Sequence, residues 1–126
     1  MTKTILAVDD HDDFRQSLSQ FLRMTFQDCR ILEAANGEEA LRIHASERPG
    51  VILMDIRMPG QSGIETARRI KAADGGVPIV ILTAHDHPQY RIEAAGAGAT
   101  AYVLKEMIGK DLVPLLRSLL EMVPDQ

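Results

Sequence analysis

Short apolar runs rich in branched residues alternate along this chain with longer stretches whose apolar residues recur every three or four positions. The first pattern reads as buried strand, the second as amphipathic helix. Residues 4–8 form the first run. Phe14, Leu18, Phe21, Leu22 and Thr25 then keep helical spacing and predict a helix over residues 12–26. Residues 29–34 predict a second strand. Asn36 with Glu39 three residues on is a variant capping box that opens a second helix, closed before Pro49-Gly50. Residues 51–55 predict a third strand. Ser62-Gly63-Ile64-Glu65 caps a helix with Ile64, Ala67 and Ile70 inward, ended by Asp74-Gly75-Gly76. Residues 78–83 predict a fourth strand, Pro88 suits the first turn of a fourth helix, and Gly98 its stop. Residues 100–104 predict a fifth strand. Leu112, Leu115, Leu116, Leu119, Leu120 and Val123 form a helical stripe, with Pro114 in its first turns, where a lost hydrogen bond costs least.

Alternation of five strands with five helices predicts an α/β fold with a parallel sheet covered on both faces. Right-handed crossovers then gather all the strand C-termini on one rim. Asp9, Asp10, Asp55, Thr83 and Lys105 all fall at or just past those ends. Taken singly, the aspartates suit turns, the lysine suits solvent and the threonine suits a strand. Their coincidence on one rim selects a chemical reading. Three carboxylates at one edge repel unless a hard divalent cation sits among them. Asp10 and Asp55 are candidate Mg²⁺ ligands, with the backbone carbonyl of a loop residue such as Arg57 as a third and Asp9 acting through a bound water. A carboxylate nucleophile, a cation and an ammonium together suit phosphoryl transfer, which needs positioning and charge neutralisation more than acid–base chemistry. Lys105 and Thr83 would then bind phosphoryl oxygens.

Composition narrows the setting. The chain has 126 residues, 45% of them apolar and 25% charged, which suits one domain over residues 1–126 with a real core. Net charge is −4, a poor balance for direct nucleic-acid binding. The single cysteine, Cys29, excludes an internal disulfide, agrees with a reducing cytoplasmic setting and reads as a small buried hydrophobe. No stretch reaches the ~18 apolar residues a membrane span needs. Residues 1–4 lead straight into the first strand and leave no room for a signal peptide. His11, His44, His85 and His87 show no metal-ligand spacing, and His44 falls near the inward face of its helix as a structural residue. Asp12 and Asp13 suit the positive end of the first helix.

The chain resembles a response-regulator receiver domain, the phosphoacceptor half of a two-component system. The residues that carry the likeness are Val8-Asp9-Asp10-His11, Met54-Asp55-Ile56-Arg57-Met58-Pro59-Gly60, Leu82-Thr83-Ala84 and Tyr102-Val103-Leu104-Lys105, with Gly63 and Gly98-Ala99 between them. The match runs over essentially the whole chain. It implies a flavodoxin-like, doubly wound sheet of order 2-1-3-4-5, the order of a chemotaxis protein of this family. It implies Asp55 as phosphoacceptor, and Mg²⁺ held by Asp9, Asp10, Asp55 and the Arg57 carbonyl. Thr83 and Lys105 would bind the phosphoryl group, and Tyr102 would be the switch aromatic. Ala84 belongs to the same phosphoryl-binding and switch set, and with Arg57 bears on the lifetime of the phosphate. The implied donor is a phosphohistidine on a sensor histidine kinase or phosphotransfer protein. The implied activity is stoichiometric acceptance and self-promoted loss of phosphate, not turnover. Asp-Asp-His and Leu-Lys-Glu resemble the subgroup with a C-terminal helix-turn-helix DNA-binding domain, here outside the chain, and pairing of two copies on phosphorylation fits that subgroup. An excised receiver and a single-domain regulator both fit. Glu106 replaces a common proline, which loosens any expectation of a cis peptide there, and Ala101 replaces a frequent glycine.

Three readings compete. A haloacid-dehalogenase-type phosphohydrolase also uses an aspartate and Mg²⁺, but Phe14 stands where its motif wants Thr or Val, and no cap domain follows. A phosphorylation-independent interaction module on the same fold has no need of the intact acidic set. A flavin-binding protein of similar topology would want a phosphate-cradling loop after the first strand, where Asp9, Asp10, Asp12 and Asp13 would repel phosphate. The fourth helix, rich in alanine with Tyr90 and Ile92 as its large apolar groups, is expected to be the most mobile.

Overall fold

A computed structural model describes residues 3–122. The elements run β1 (Lys3–Val8), α1 (Asp12–Thr25), β2 (Cys29–Ala34), α2 (Gly37–Glu47), β3 (Val51–Met54), α3 (Gly63–Ala73), β4 (Ile79–Thr83), α4 (Pro88–Gly96), β5 (Ala101–Leu104) and α5 (Val113–Met122). All pairings are parallel, in the order β2-β1-β3-β4-β5. The doubly wound order expected from the resemblance is therefore present.

Alternate residues of each strand feed two separate cores, as the two-residue repeat of a strand demands. Ile5, Ala7, Leu53, Val80, Leu82 and Val103 pack with Leu18 and Leu22 of α1 and with Leu112, Leu116, Leu119 and Leu120 at the C-terminal end of the chain. Leu6, Val8, Ile52, Met54, Ile79 and Ile81 face the other way, against Ala40 of α2, Ile64, Ala67 and Ile70 of α3, and Ala94 of α4. Because both faces are covered, β1, β3 and β4 lack polar alternation and read as continuous apolar runs.

The caps form as read from the sequence. Asn36 accepts from the Glu39 N–H at 2.9 Å, and Ser62 from the Glu65 N–H at 3.1 Å. Gly98 takes φ +95°, the left-handed conformation that glycine tolerates. The Gly98 N–H bonds the Ala95 carbonyl and the Ala99 N–H that of Ala94, closing α4 in a Schellman motif. Pro114 is the second residue of α5, as its chemistry requires.

Several details differ from the sequence reading. Phe21 is 39% exposed because the inward stripe of α1 passes through Leu18 and Leu22 and leaves it at the margin. Ile92 is 65% exposed, since α4 turns the small Ala94 to the sheet. Cys29 is half-buried, at the first position of edge strand β2, rather than sealed in the core. Leu112 belongs to the π-helical turn Ile108–Leu112, which follows a 3-10 turn at Lys105–Met107 and leads into α5. The peptide bonds of the described residues are all trans. Val123, the last member of the predicted stripe, lies outside the described residues.

Candidate functional site

Each rim side chain is delivered by a strand that ends beneath it. β1 ends at Val8, and Asp9 continues its line by donating its N–H to the Ala34 carbonyl of β2. Asp55 follows β3 and donates its N–H to the Val8 carbonyl. Parallel register places the ends of β1 and β3 side by side, with Val8 opposite Met54. The next residues, Asp9 and Asp55, are therefore neighbours although 46 positions separate them in sequence. Thr83 closes β4, and Lys105 follows β5, where Thr83 pairs with Leu104.

A close approach fixes Asp55 from behind. Gly63 donates its N–H to the Ile56 carbonyl at 2.8 Å, and a Cβ placed on Gly63 would stand 1.7 Å from the Asp55 carbonyl oxygen. Only a residue without a side chain lets the start of α3 pass so near the backbone of Asp55.

The site is buried and charged. Asp9, Asp55 and Thr83 are 2%, 3% and 0% exposed. The Lys105 ammonium lies 2.7 Å from Asp9 Oδ2 and 3.6 Å from Asp55 Oδ2. Phe14, on the first turn of α1, stands under that ammonium, whose Nζ is 4.2 Å from the ring centroid. Asp55 Oδ1 accepts from the Ile56 N–H at 2.9 Å. The Asp55 carboxyl is nonetheless pushed above its usual range, first by burial and then by the charge of Asp9. Lys105, the Ile56 N–H and the nearby Thr83 hydroxyl oppose the shift.

Asp10 completes an acid cluster. One donor atom from each of Asp9, Asp10, His11 and Asp55 lies within 4.8 Å of the others. Asp10 Oδ1 is buried with no hydrogen-bond partner, an arrangement that costs free energy unless something positive meets it. This orphaned oxygen beside two buried carboxylates fits a hard divalent cation. Arg57 is exposed two residues past Asp55 and shares with Asp10, Met58, Pro59 and Tyr90 a cavity of about 610 Å³. A second cavity, of about 490 Å³, lies at the far end of the sheet and holds Arg48, Lys71 and Asp74 but none of the rim residues.

Thr83 and Tyr102 are linked through the loop after β4. Exposed Ala84 follows Thr83, the His85 N–H donates to Thr83 Oγ1 at 3.3 Å, and the Tyr102 hydroxyl donates to the His85 carbonyl at 2.5 Å. The Arg91 guanidinium covers the Tyr102 ring at 4.4 Å and pairs with Asp86 at 2.9 Å.

The structure thus brings Asp9, Asp10, Asp55, Thr83 and Lys105 to one rim, with Ala84 and Tyr102 joined to it through Thr83 and His85. Sequence reading set His11 aside as a metal ligand, although its ring enters the cluster, and gave Phe14 and Gly63 no part in placing Lys105 and Asp55. Adjacency to Asp9-Asp10 was a signal for His11. Gly63 stood among the residues that carry the family likeness and Phe14 only in a helical stripe, and neither pointed to its contact, because those contacts arise from other elements folding against them.

A five-stranded parallel sheet with acid groups and a lysine at its carboxyl rim defines a doubly wound α/β domain with a charged site at the strand ends. The model of the response regulator receiver domain matches residues 5–117, and the chain belongs to that family. It is 37% identical over 120 residues to the phosphate regulon transcriptional regulatory protein PhoB of Pseudomonas aeruginosa, covering 94% of this chain and 52% of that one. The chain therefore spans about half the length of this curated relative. A CheY-like receiver domain from Methanospirillum hungatei superposes with a TM-score of 0.88 at 26% identity, covering 97% of this chain and 96% of that one. The response regulator TrrA of Thermotoga maritima, solved with Mg²⁺ and BeF, superposes at 0.83 with 34% identity, covering 94% and 99%. Receivers of this family serve phosphorylation-based signalling in two-component systems and are not turnover enzymes. No helix among the described residues is long and apolar enough to cross a membrane.

Proposed function

We propose that the chain, acting as one domain over residues 1–126, is a phosphorylation switch in which Asp55 accepts a phosphoryl group from a phosphohistidine. The donor is a sensor histidine kinase or a phosphotransfer protein. The observation that carries this reading is the buried Asp9–Asp55 pair bridged by the Lys105 ammonium. An Asp55 oxygen attacks phosphorus, the P–N bond breaks, and its electron pair leaves with the donor imidazole, which takes up a proton. Asp9, Asp10, Asp55 and the Arg57 carbonyl would hold Mg²⁺, which supplies charge neutralisation when bound. Lys105 and Thr83 meet phosphoryl oxygens as charge builds there, and Ala84 leaves room for them beside Thr83. TrrA, solved with Mg²⁺ and BeF on this fold, supports the choice of ion.

The new phosphate adds nearly two negative charges. Thr83 turns toward it, its bond to the His85 N–H loosens, and Tyr102 exchanges the His85 carbonyl for an inward position. The surface of α4, β5 and α5 then changes as a population shift between two states. In a longer protein that surface would control a C-terminal DNA-binding domain and the pairing of two copies, and so transcription, as the name of the PhoB relative suggests. Incubation with a small acyl phosphate and Mg²⁺, read by intact mass, tests the assignment. The natural chain should gain one phosphate and Asp55→Asn none; phosphate on the variant would overturn it.

A further inference from the structure

The steps above leave His11 without a role, although its ring stands within the acid cluster. Nδ1 lies 3.0 Å from Asp9 Oδ1, 3.4 Å from Asp10 Oδ1 and 3.9 Å from Asp55 Oδ2. An octahedral ion with bonds of about 2.0–2.2 Å sets adjacent ligand atoms ~3 Å apart and opposite ones ~4.2 Å apart. The first two separations suit adjacent corners of such a shell, and the third falls between adjacent and opposite. Asp10 Oδ1, 3.4 Å from that ring nitrogen, is buried without a hydrogen bond at the same place.

We propose that His11 Nδ1 is a ligand of the cation held by this acid cluster, and that the site therefore favours imidazole-accepting divalent metals such as Mn²⁺, Co²⁺ and Ni²⁺ over Mg²⁺. The proposal rests on the reading of the cluster as a cation site. Mg²⁺ prefers oxygen and keeps its waters, whereas imidazole suits the transition metals, with affinity rising from Mn²⁺ to Ni²⁺. Backbone geometry permits the change. His11 is the extended N-cap residue of α1, and its own N–H donates to Asp9 Oδ1 at 2.8 Å. That oxygen keeps a donor when the ring adopts the tautomer with Nδ1 free and the proton on Nε2. The side chain is 64% exposed, so solvent can receive that proton. Lys105 engages Oδ2 of Asp9 and of Asp55, the His11 N–H holds Asp9 Oδ1, and Asp10 Oδ1 carries no hydrogen bond and can meet the ion.

The tag-free natural chain loaded with Mn²⁺ should show nitrogen modulation in pulsed electron paramagnetic resonance, and His11→Ala should not. In calorimetric titrations His11→Ala should bind Ni²⁺ at least tenfold more weakly while its Mg²⁺ affinity changes less than threefold. A natural chain without nitrogen modulation would overturn the proposal. So would a Ni²⁺ affinity that is unchanged in the variant or falls in step with that for Mg²⁺. Asp55→Asn separates this from the underlying reading: Mg²⁺ binding lost in that variant supports the cation site itself, and Mg²⁺ binding retained at full strength sinks it.

Discussion

The two ends of the sheet each hold an aspartate whose titration is displaced, in opposite directions. At the carboxyl end, burial and the charge of Asp9 raise Asp55. At the amino end, Asp74 caps α3 and is lowered, chiefly by a hydrogen bond with His44 at 3.1 Å and further by the Gly76 N–H and the charge of Arg48. His44 is 4% exposed and ties α2 to the end of α3. The amino end has satisfied its charges and serves the fold. The carboxyl end keeps carboxylates crowded, with one buried oxygen lacking a hydrogen bond, an arrangement that suits a cation. Here the displaced titration that coincides with the site is the one in which the environment opposes the charge.

The largest expected effect comes from disturbing the backbone behind Asp55. Gly63→Ala should cost about 3 kcal/mol in urea unfolding, because the new methyl collides with the Asp55 carbonyl, and should suppress phosphate uptake. A variant of unchanged stability would show that this approach is not needed. His44→Ala should cost about 2 kcal/mol through loss of a buried hydrogen bond, with phosphate uptake unchanged. Slower uptake in that variant would break the division between the two ends.

A smaller effect follows from titration. Raised in the fold, the ionised Asp55 weakens the metal-free protein above its folded pKa. The penalty fades as pH falls through that value and is gone below the unfolded value of ~3.9. Asp55→Asn should therefore melt a few degrees higher at pH 7 without divalent cation, and the gain should shrink to nothing toward pH ~4. An equal or lower melting temperature at pH 7 would remove the crowding. Asp74 carries the reverse sign: its contribution is present above the unfolded value and is lost as pH falls through its lowered folded value. The smallest effect concerns α4, which buries only Ala94, whereas α5 buries Leu116, Leu119 and Leu120. Amide hydrogens of α4 should exchange faster than those of α5, and equal protection would deny α4 a switching role.

The amino-acid sequence by itself determined the alternation of elements, the caps at Asn36 and Ser62, the break at Gly98 and the rim position of Asp9, Asp10, Asp55, Thr83 and Lys105. These depend on apolar period, on local hydrogen bonds and on where each strand runs out, all written in neighbouring residues. It placed Phe21 and Ile92 less well, because spacing finds a helix without saying which margin of its stripe a sheet will cover. Only the tertiary structure decided that Lys105 bridges Asp9 and Asp55 above Phe14, that Gly63 lies against the Asp55 backbone, and that His11 enters the acid cluster. Those contacts join residues from different strands and helices, and their distances are set by the packing of whole elements.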